Sequence, residues 1–163
     1  MRVNPLTYFQ EHPVNEGLVL QLAAKLPGSL IIVVDSPILL YTREREHPER
    51  RIREFLRLQF GEIKHYSRTQ ASQRLEKHQD YNARRDAGGV VIYGVKVTAT
   101  EQNYFFEATF SNFGRASFQF SSLTVDRRIT EALRESVADD WKYVDRASGK
   151  VVDFYDPFSE LGS

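Results

Sequence analysis

The chain has 163 residues, no cysteine, and 22 basic against 22 acidic side chains, so its formal net charge is zero. Hydrophobic residues make up 41% of the sequence and charged residues 27%, an ordinary globular composition that predicts one folded domain over residues 1–163. The absence of cysteine excludes disulfide frameworks, thiolate zinc sites, iron–sulfur clusters and cysteine nucleophiles.

Targeting and membrane signals are weak in this sequence. The N-terminal segment MRVNPLTYFQEHPVNEG lacks the apolar core of a signal peptide. The longest apolar runs, LIIVV at 30–34 and PILLY at 37–41, are far shorter than the ~20 residues needed to cross a bilayer. We therefore expect a soluble, cytoplasmic protein with no membrane partner.

The first third of the chain predicts a helix followed by two strands. Within residues 16–26, leucines recur at helical spacing, and the PG pair at 27–28 closes the segment. The segments SLIIVVD (29–35) and PILLYTR (37–43) have the apolar runs of strands.

Residues 48–60 predict the clearest helix. Pro48 suits a first turn, Gly61 suits the end, and Ile52, Leu56 and Phe60 contribute to an apolar stripe that the arginines largely avoid. The following residues, about 67–87, contain no proline or glycine and almost no large aliphatic side chain, which predicts a polar helix. Such a helix is an exposed connector or an arm that docks on a second subunit or partner.

The second half predicts an antiparallel three-stranded meander over about 89–123, because three apolar segments are joined by short links. An amphipathic helix over 125–138 and a hairpin over 142–155 follow. With helices at about 16–26, 48–60 and 125–138 packed on one face of the sheet, the predicted class is α+β. One sheet face is expected to be apolar, carrying Tyr93, Val95, Val97, Tyr104, Phe106, Phe110, Phe118 and Phe120.

Basic residues cluster in the middle of the chain. Residues 43–87 hold 12 Arg and Lys against 8 Asp and Glu, a surplus of 12 − 8 = 4 positive charges. A surplus of this kind suits phosphate contacts, so the region 50–85 is a candidate nucleic-acid or partner surface, although acidic residues interleave with it. The residues that would make these contacts are Arg50, Arg51, Arg57, Arg68, Arg74, Lys77, Arg84 and Arg85.

No set of residues with catalytic or metal-ligand spacing stands out. His12 and His47 each precede a proline, which is typical of turns, and no histidine pair has zinc-ligand spacing. Asp35 with Glu62 and Lys64 distantly resembles the layout of a cation-dependent nuclease, but a predicted helix separates them. Acyl-transfer elbows and phosphate-binding loops are also missing. We therefore expect no metal and no cofactor, and binding is favoured over catalysis.

Three functions remain open on this reading. The first is a small binding or interaction protein that acts through the polar helical arm and the sheet surfaces, in a homodimer because two-fold dimers are the commonest oligomers. The second is nucleic-acid binding through residues 50–85. The third is a small-molecule binder or enzyme with a pocket between sheet and helices, to which Tyr93, His65 and Glu107 would contribute polar groups.

Overall fold

The computed structural model describes residues 1–12, 14, 17–25, 28–36, 51–69, 91–111, 114–134, 136 and 138–159. These residues form eleven strands and one helix. The elements are β1 (Arg2–Val3), α1 (Pro5–Glu11), β2 (Gly17–Lys25), β3 (Ser29–Ser36), β4 (Arg51–Gly61), β5 (Lys64–Thr69), β6 (Val91–Ala99), β7 (Tyr104–Phe110), β8 (Gly114–Phe120), β9 (Ser122–Leu133), β10 (Lys142–Asp145) and β11 (Val151–Val152).

All eleven strands belong to one antiparallel sheet in the order β11-β10-β9-β4-β3-β2-β6-β7-β8-β5, with β1 paired to β9. Ser121 alone separates β8 from β9, and β9 pairs with β4 along its length. Strand β9 therefore leads the chain from β8 back to β4. The six strands β4-β3-β2-β6-β7-β8 curl round an enclosed interior. We call this the curled sheet.

The interior of the curled sheet is filled by side chains that alternate along each strand, as the two-residue period of a strand requires. In β4 the inward positions include Leu56, Leu58 and Phe60, and β8 contributes Phe118 and Phe120. Phe60 lies at the centre, because its ring centroid is 5.0 to 5.1 Å from the rings of Phe106, Phe118 and Phe120. Helix α1 packs against this interior through Phe9, whose ring centroid is 6.4 Å from that of Phe60.

A second apolar cluster lies on the outer face of β2, β3, β4, β9 and β10. The segment 153–159 covers it with Phe154 and Phe158, both buried. Strand β3 is consequently buried on both faces, with its even-numbered aliphatic residues inside and Ile31 and Val33 outside.

Three arginine–aspartate pairs lie on the same outer face. Arg57 donates from Nε and Nη2 to Oδ2 of Asp126 at 2.9 and 2.8 Å, and the two residues are direct partners in the β4–β9 register. Arg128 Nε lies 3.5 Å from Asp145 Oδ2. The guanidinium carbons of Arg57 and Arg128 stand 5.7 and 5.6 Å from the ring centroid of Phe158, which anchors the covering segment by cation–π contact. The third pair, Arg53 with Asp35, is looser at 3.9 Å.

The α+β prediction is wrong, because the described chain is mostly antiparallel strand with one short helix. The predicted helices at 16–26, 48–60 and 125–138 are the strands β2, β4 and β9. These strands are covered on both faces over much of their length, so apolar residues occupy positions on both sides. A strand that is buried on both faces has apolar residues at both odd and even positions, so some of them fall three or four residues apart. The same spacing is typical of an amphipathic helix.

The predicted strand at 29–35, the meander and the C-terminal hairpin are confirmed as β3, β6-β7-β8 and β10-β11. The predicted face of Tyr93 is wrong. The β6–β7 register shifts between Tyr93 and Lys96, around Gly94 at φ +61°, and Tyr93 lies outside the curled sheet with 42% of its surface exposed. A bulge of this kind sends the preceding side chain to the opposite face.

Two predicted elements fall partly or wholly outside the described residues. The strand at 37–43 lies outside them, and of the polar helix at 67–87 only 67–69 are described, as the end of β5. Among the residues that the structure describes, no helix has the length and apolarity to span a membrane.

Candidate functional site

A cavity of about 490 Å³ lies where α1 and β1 meet β9. Its volume is within the range of small-molecule sites in proteins, roughly 300–1,000 Å³. It is lined by Met1, Val3, Asn4, Thr7, Tyr8, Glu11, His12, Val125 and Arg127. We call it the α1 cavity.

Local sequence signals hold α1 in position beside this cavity. Asn4 caps the helix by accepting a hydrogen bond from the Thr7 backbone N–H at 3.2 Å, and Pro5 occupies the first turn. The helix ends where the backbone N–H of His12 donates to the Tyr8 carbonyl at 2.8 Å. Tyr8 and Phe9 both pack against the core, and Tyr8 also lines the cavity.

Arg127, a charged residue of the cavity lining, is paired with Glu54. Arg127 Nε donates a short hydrogen bond to Glu54 Oε2 across the β4–β9 strand pair. The Glu54 side chain is only 4% exposed, whereas that of Arg127 is 56% exposed. The buried Glu54 carboxylate therefore fixes the position of the exposed Arg127 guanidinium. The terminal nitrogens of Arg127 make no hydrogen bond to any described residue.

Tyr8 lies beside this pair. Burial, with a smaller contribution from the negative charge of Glu54, raises the pKa of the Tyr8 phenol to about 12, and the positive charge of Arg127 opposes this in part. The hydroxyl thus stays protonated at neutral pH and can donate a hydrogen bond. Within the described part of the chain it has no hydrogen-bond partner.

His12 completes the polar lining. Its ring stacks on that of Tyr8, with centroids 4.7 Å apart and planes 12° apart. Its Nδ1 atom is buried and makes no hydrogen bond to a described residue. A buried polar atom without a partner is costly, so it marks a place where a ligand atom or water belongs. Tyr8, His12 and Arg127 thus bring hydrogen-bonding groups to one cavity whose remaining walls include Val3 and Val125.

The Tyr8 pKa predicts an alkaline weakening of the fold. An unfolded tyrosine ionises near pH 10, whereas folded Tyr8 ionises near 12, so between these values the unfolded state has released a proton that the folded state keeps. This contribution to the free energy of unfolding is present below about pH 10 and is lost as the pH rises towards 12. Urea unfolding from pH 8 to 11.5 should show a smaller alkaline loss for Tyr8→Phe than for the wild type. The exposed Tyr93→Phe variant should lose the same unfolding free energy with rising pH as the wild type. An equal loss in all three proteins would show that Tyr8 does not cause it.

A second, smaller depression of about 200 Å³ lies on the outer face of β5, β7 and β8. It is lined by Ser67, Thr69, Glu107, Arg115, Ala116 and Ser117. Of the three pocket residues predicted from the sequence, Glu107 lines it. Tyr93 shares the outer face, opposite Thr109 in the register, but does not line the depression. His65 is exposed in a bulge of β5 at φ +53° and does not line it either.

The three residues of the predicted basic surface that the structure describes, Arg51, Arg57 and Arg68, lie on strands. Arg57 lies under Phe158 in its pair with Asp126, with 12% of its side chain exposed, so it is not available to phosphates. Arg51 lies in strand β4 and Arg68 is half-buried in β5. Arg50, Arg74, Lys77, Arg84 and Arg85 lie outside the described residues.

The nuclease-like layout of Asp35, Glu62 and Lys64 is not brought together. Asp35 is six positions along β3 from Ser29, which pairs with Gly61, so about 20 Å of strand separate Asp35 from Glu62. In the described ranges, no three His, Asp or Glu side chains are close enough to hold a metal ion.

Sequence reasoning missed the α1 cavity because its residues come from distant segments. His12 was interpreted as a turn residue before Pro13, and it does end α1, but its ring also lines the cavity. One signal was present: Glu54 is the charged residue among the inward positions Ile52, Leu56 and Leu58 of β4. A carboxylate at such a position requires a partner.

No family model, curated protein or solved structure matches the chain, so the site is interpreted from its own geometry.

Proposed function

We propose that the protein binds a small amphipathic molecule in the α1 cavity. The observation that carries this proposal is that His12, whose Nδ1 is buried and unpartnered, lines one cavity of about 490 Å³ together with Tyr8 and Arg127. Cavities of this size with apolar walls and a few convergent polar groups are typical of small-molecule sites.

Two of the three polar residues that carry the proposal are suited to binding a ligand and not to removing a proton from it. Arg127 is committed to Glu54 through Nε, and Tyr8 holds its proton at neutral pH, so neither supplies a base. These groups are suited to orient a ligand by donating hydrogen bonds. Interaction through a helical arm, nucleic-acid binding, a homodimer and a cytoplasmic location stay predictions from the sequence, since no described contact bears on them.

Blocking the cavity should abolish binding. Thr7 is exposed on α1 and lines the cavity, so Thr7→Trp should fill the entrance without disturbing the core. We expect small amphipathic probes such as octanoate and octanamide to raise the thermal midpoint of the wild type by mass action, and to bind Thr7→Trp at least about tenfold more weakly.

The matched control is Gln10→Trp, an exposed position on the same helix that does not line the cavity. Its probe affinity should equal that of the wild type. Equal weakening in the two tryptophan variants, or no midpoint shift in the wild type with either probe, would refute binding at this site.

A further inference from the structure

We infer that the ligand of the α1 cavity carries a carboxylate attached to an apolar body, an inference that rests on the proposed function. Arg127 donates to Glu54 through Nε, and its two terminal nitrogens make no hydrogen bond to a described residue. A guanidinium presents its N–H groups in a planar fork that matches the two oxygens of a carboxylate.

The charges around the cavity favour an anion over a cation. The carboxylate of Glu54 is only 4% exposed and already paired, so a ligand cation would meet Arg127 before it could approach Glu54. Glu11 also lines the cavity, but it is exposed at the end of α1, where water screens its charge. His12 carries no negative charge in either protonation state. Of the charged side chains that line the cavity, Arg127 is therefore the one best placed to select a ligand.

The remaining walls define the rest of the ligand. The Tyr8 hydroxyl, which makes no hydrogen bond to a described residue, can donate to an oxygen held by Arg127. Val3, Val125 and the face of the Tyr8 ring offer apolar surface, which suits a hydrocarbon or aromatic body. A short-chain or aryl carboxylate satisfies both parts of the cavity.

The test compares octanoate, octanamide, octylamine and octyl phosphate, which share one hydrocarbon chain and differ at the polar end. Binding is measured by titration calorimetry and by shifts of the backbone amide signals of Thr7, Tyr8 and Val125 in nitrogen-15 spectra. We expect octanoate to bind at least about tenfold more tightly than octanamide, because hydrogen bonds to a charged group are worth more than neutral ones. Octylamine should bind most weakly, and octyl phosphate less tightly than octanoate.

Two variants connect this preference with Arg127. Arg127→Lys keeps a positive charge beside Glu54 but removes the fork, so the octanoate preference should fall several-fold. The double variant Glu54→Gln with Arg127→Gln leaves no unpaired buried charge, and in it octanoate and octanamide should bind alike. Arg115→Gln, which removes an exposed arginine on the other depression, is the control and should keep the wild-type preference.

The outcomes separate the inference from the proposed function. If octanamide binds the cavity as tightly as octanoate, or octyl phosphate binds more tightly than either, the carboxylate assignment is overturned and the cavity remains a ligand site. Retention of the octanoate preference in the double variant also overturns it. If none of the four probes shifts the amide signals around the cavity, the proposed function itself fails.

Discussion

Replacing Phe60 by alanine should lower the free energy of unfolding by about 3–5 kcal/mol, the usual cost of removing a fully buried phenylalanine. The Phe60 ring is fully buried, with four ring centroids of other phenylalanines within 6.4 Å. The cavity left behind would face side chains from β7, β8 and α1, which sit on separate elements and cannot all move inward together. Urea unfolding monitored by circular dichroism measures the change.

Phe105→Ala is the matched control for Phe60→Ala. Phe105 is the neighbour of Phe106 in β7, but it is half-buried and points away from the interior, so its loss should cost about 1 kcal/mol or less. Phe60→Leu, which retains an apolar side chain, should fall between the two. Equal costs at positions 60 and 105 would show that the interior is not packed as described.

Removing the carboxylate of Asp145 should cost about 3 kcal/mol or more, as expected when one partner of a buried ion pair is deleted. Asp145 is 6% exposed and accepts hydrogen bonds from the Ala147 N–H at 3.0 Å and the Ser148 hydroxyl at 2.9 Å. It also faces Arg128, whose side chain is 10% exposed. Asp145→Ala would therefore open the turn between β10 and β11 and leave Arg128 with its contacts to Pro157 and Phe158.

Two further variants decide the origin of that loss. Asp153→Ala also removes a turn carboxylate, which accepts a hydrogen bond from the Tyr155 N–H, but Asp153 is exposed and should cost about 1 kcal/mol. Adding Arg128→Met to Asp145→Ala should restore part of the lost stability, because it removes the buried guanidinium that faced Asp145. If the double variant recovers no stability, the whole loss in Asp145→Ala comes from the turn between β10 and β11.

The arginines of β4 show why helices were predicted where strands exist. Arg51, Arg53 and Arg57 occupy odd positions, while Ile52 and Leu56 occupy even ones, which is the two-residue period of a strand. Phe55 breaks this alternation because it packs on the outer face beneath Phe154, with ring centroids 5.4 Å apart. Pro48 and Gly61 also favoured the helix prediction, because proline suits the first turn of a helix and glycine suits its end. The contact between Phe55 and Phe154 joins residues that are far apart in the sequence, so no local sequence pattern indicates it.

The candidate site was less predictable than the fold. Tyr8 and His12 come from one end of the chain and Glu54 and Arg127 from positions 73 residues apart. Their juxtaposition depends on the β4–β9 register, in which Glu54 pairs with Ile129. A shift by one residue would move Glu54 to the outer face, so the site exists through register and not through a motif.

The sequence by itself determined the local features of this protein: the apolar strand β3, the meander of β6, β7 and β8, and the final hairpin. These depend on alternation and turn residues that act over a few neighbouring positions. Only the tertiary structure decided that β4 and β9 are strands, that Tyr93 faces outward, that Tyr8, His12 and Arg127 share a cavity, and that Glu54 pairs with Arg127. Each of these depends on pairing between distant segments, because that pairing closes the curled sheet and decides on which of its faces a side chain lies.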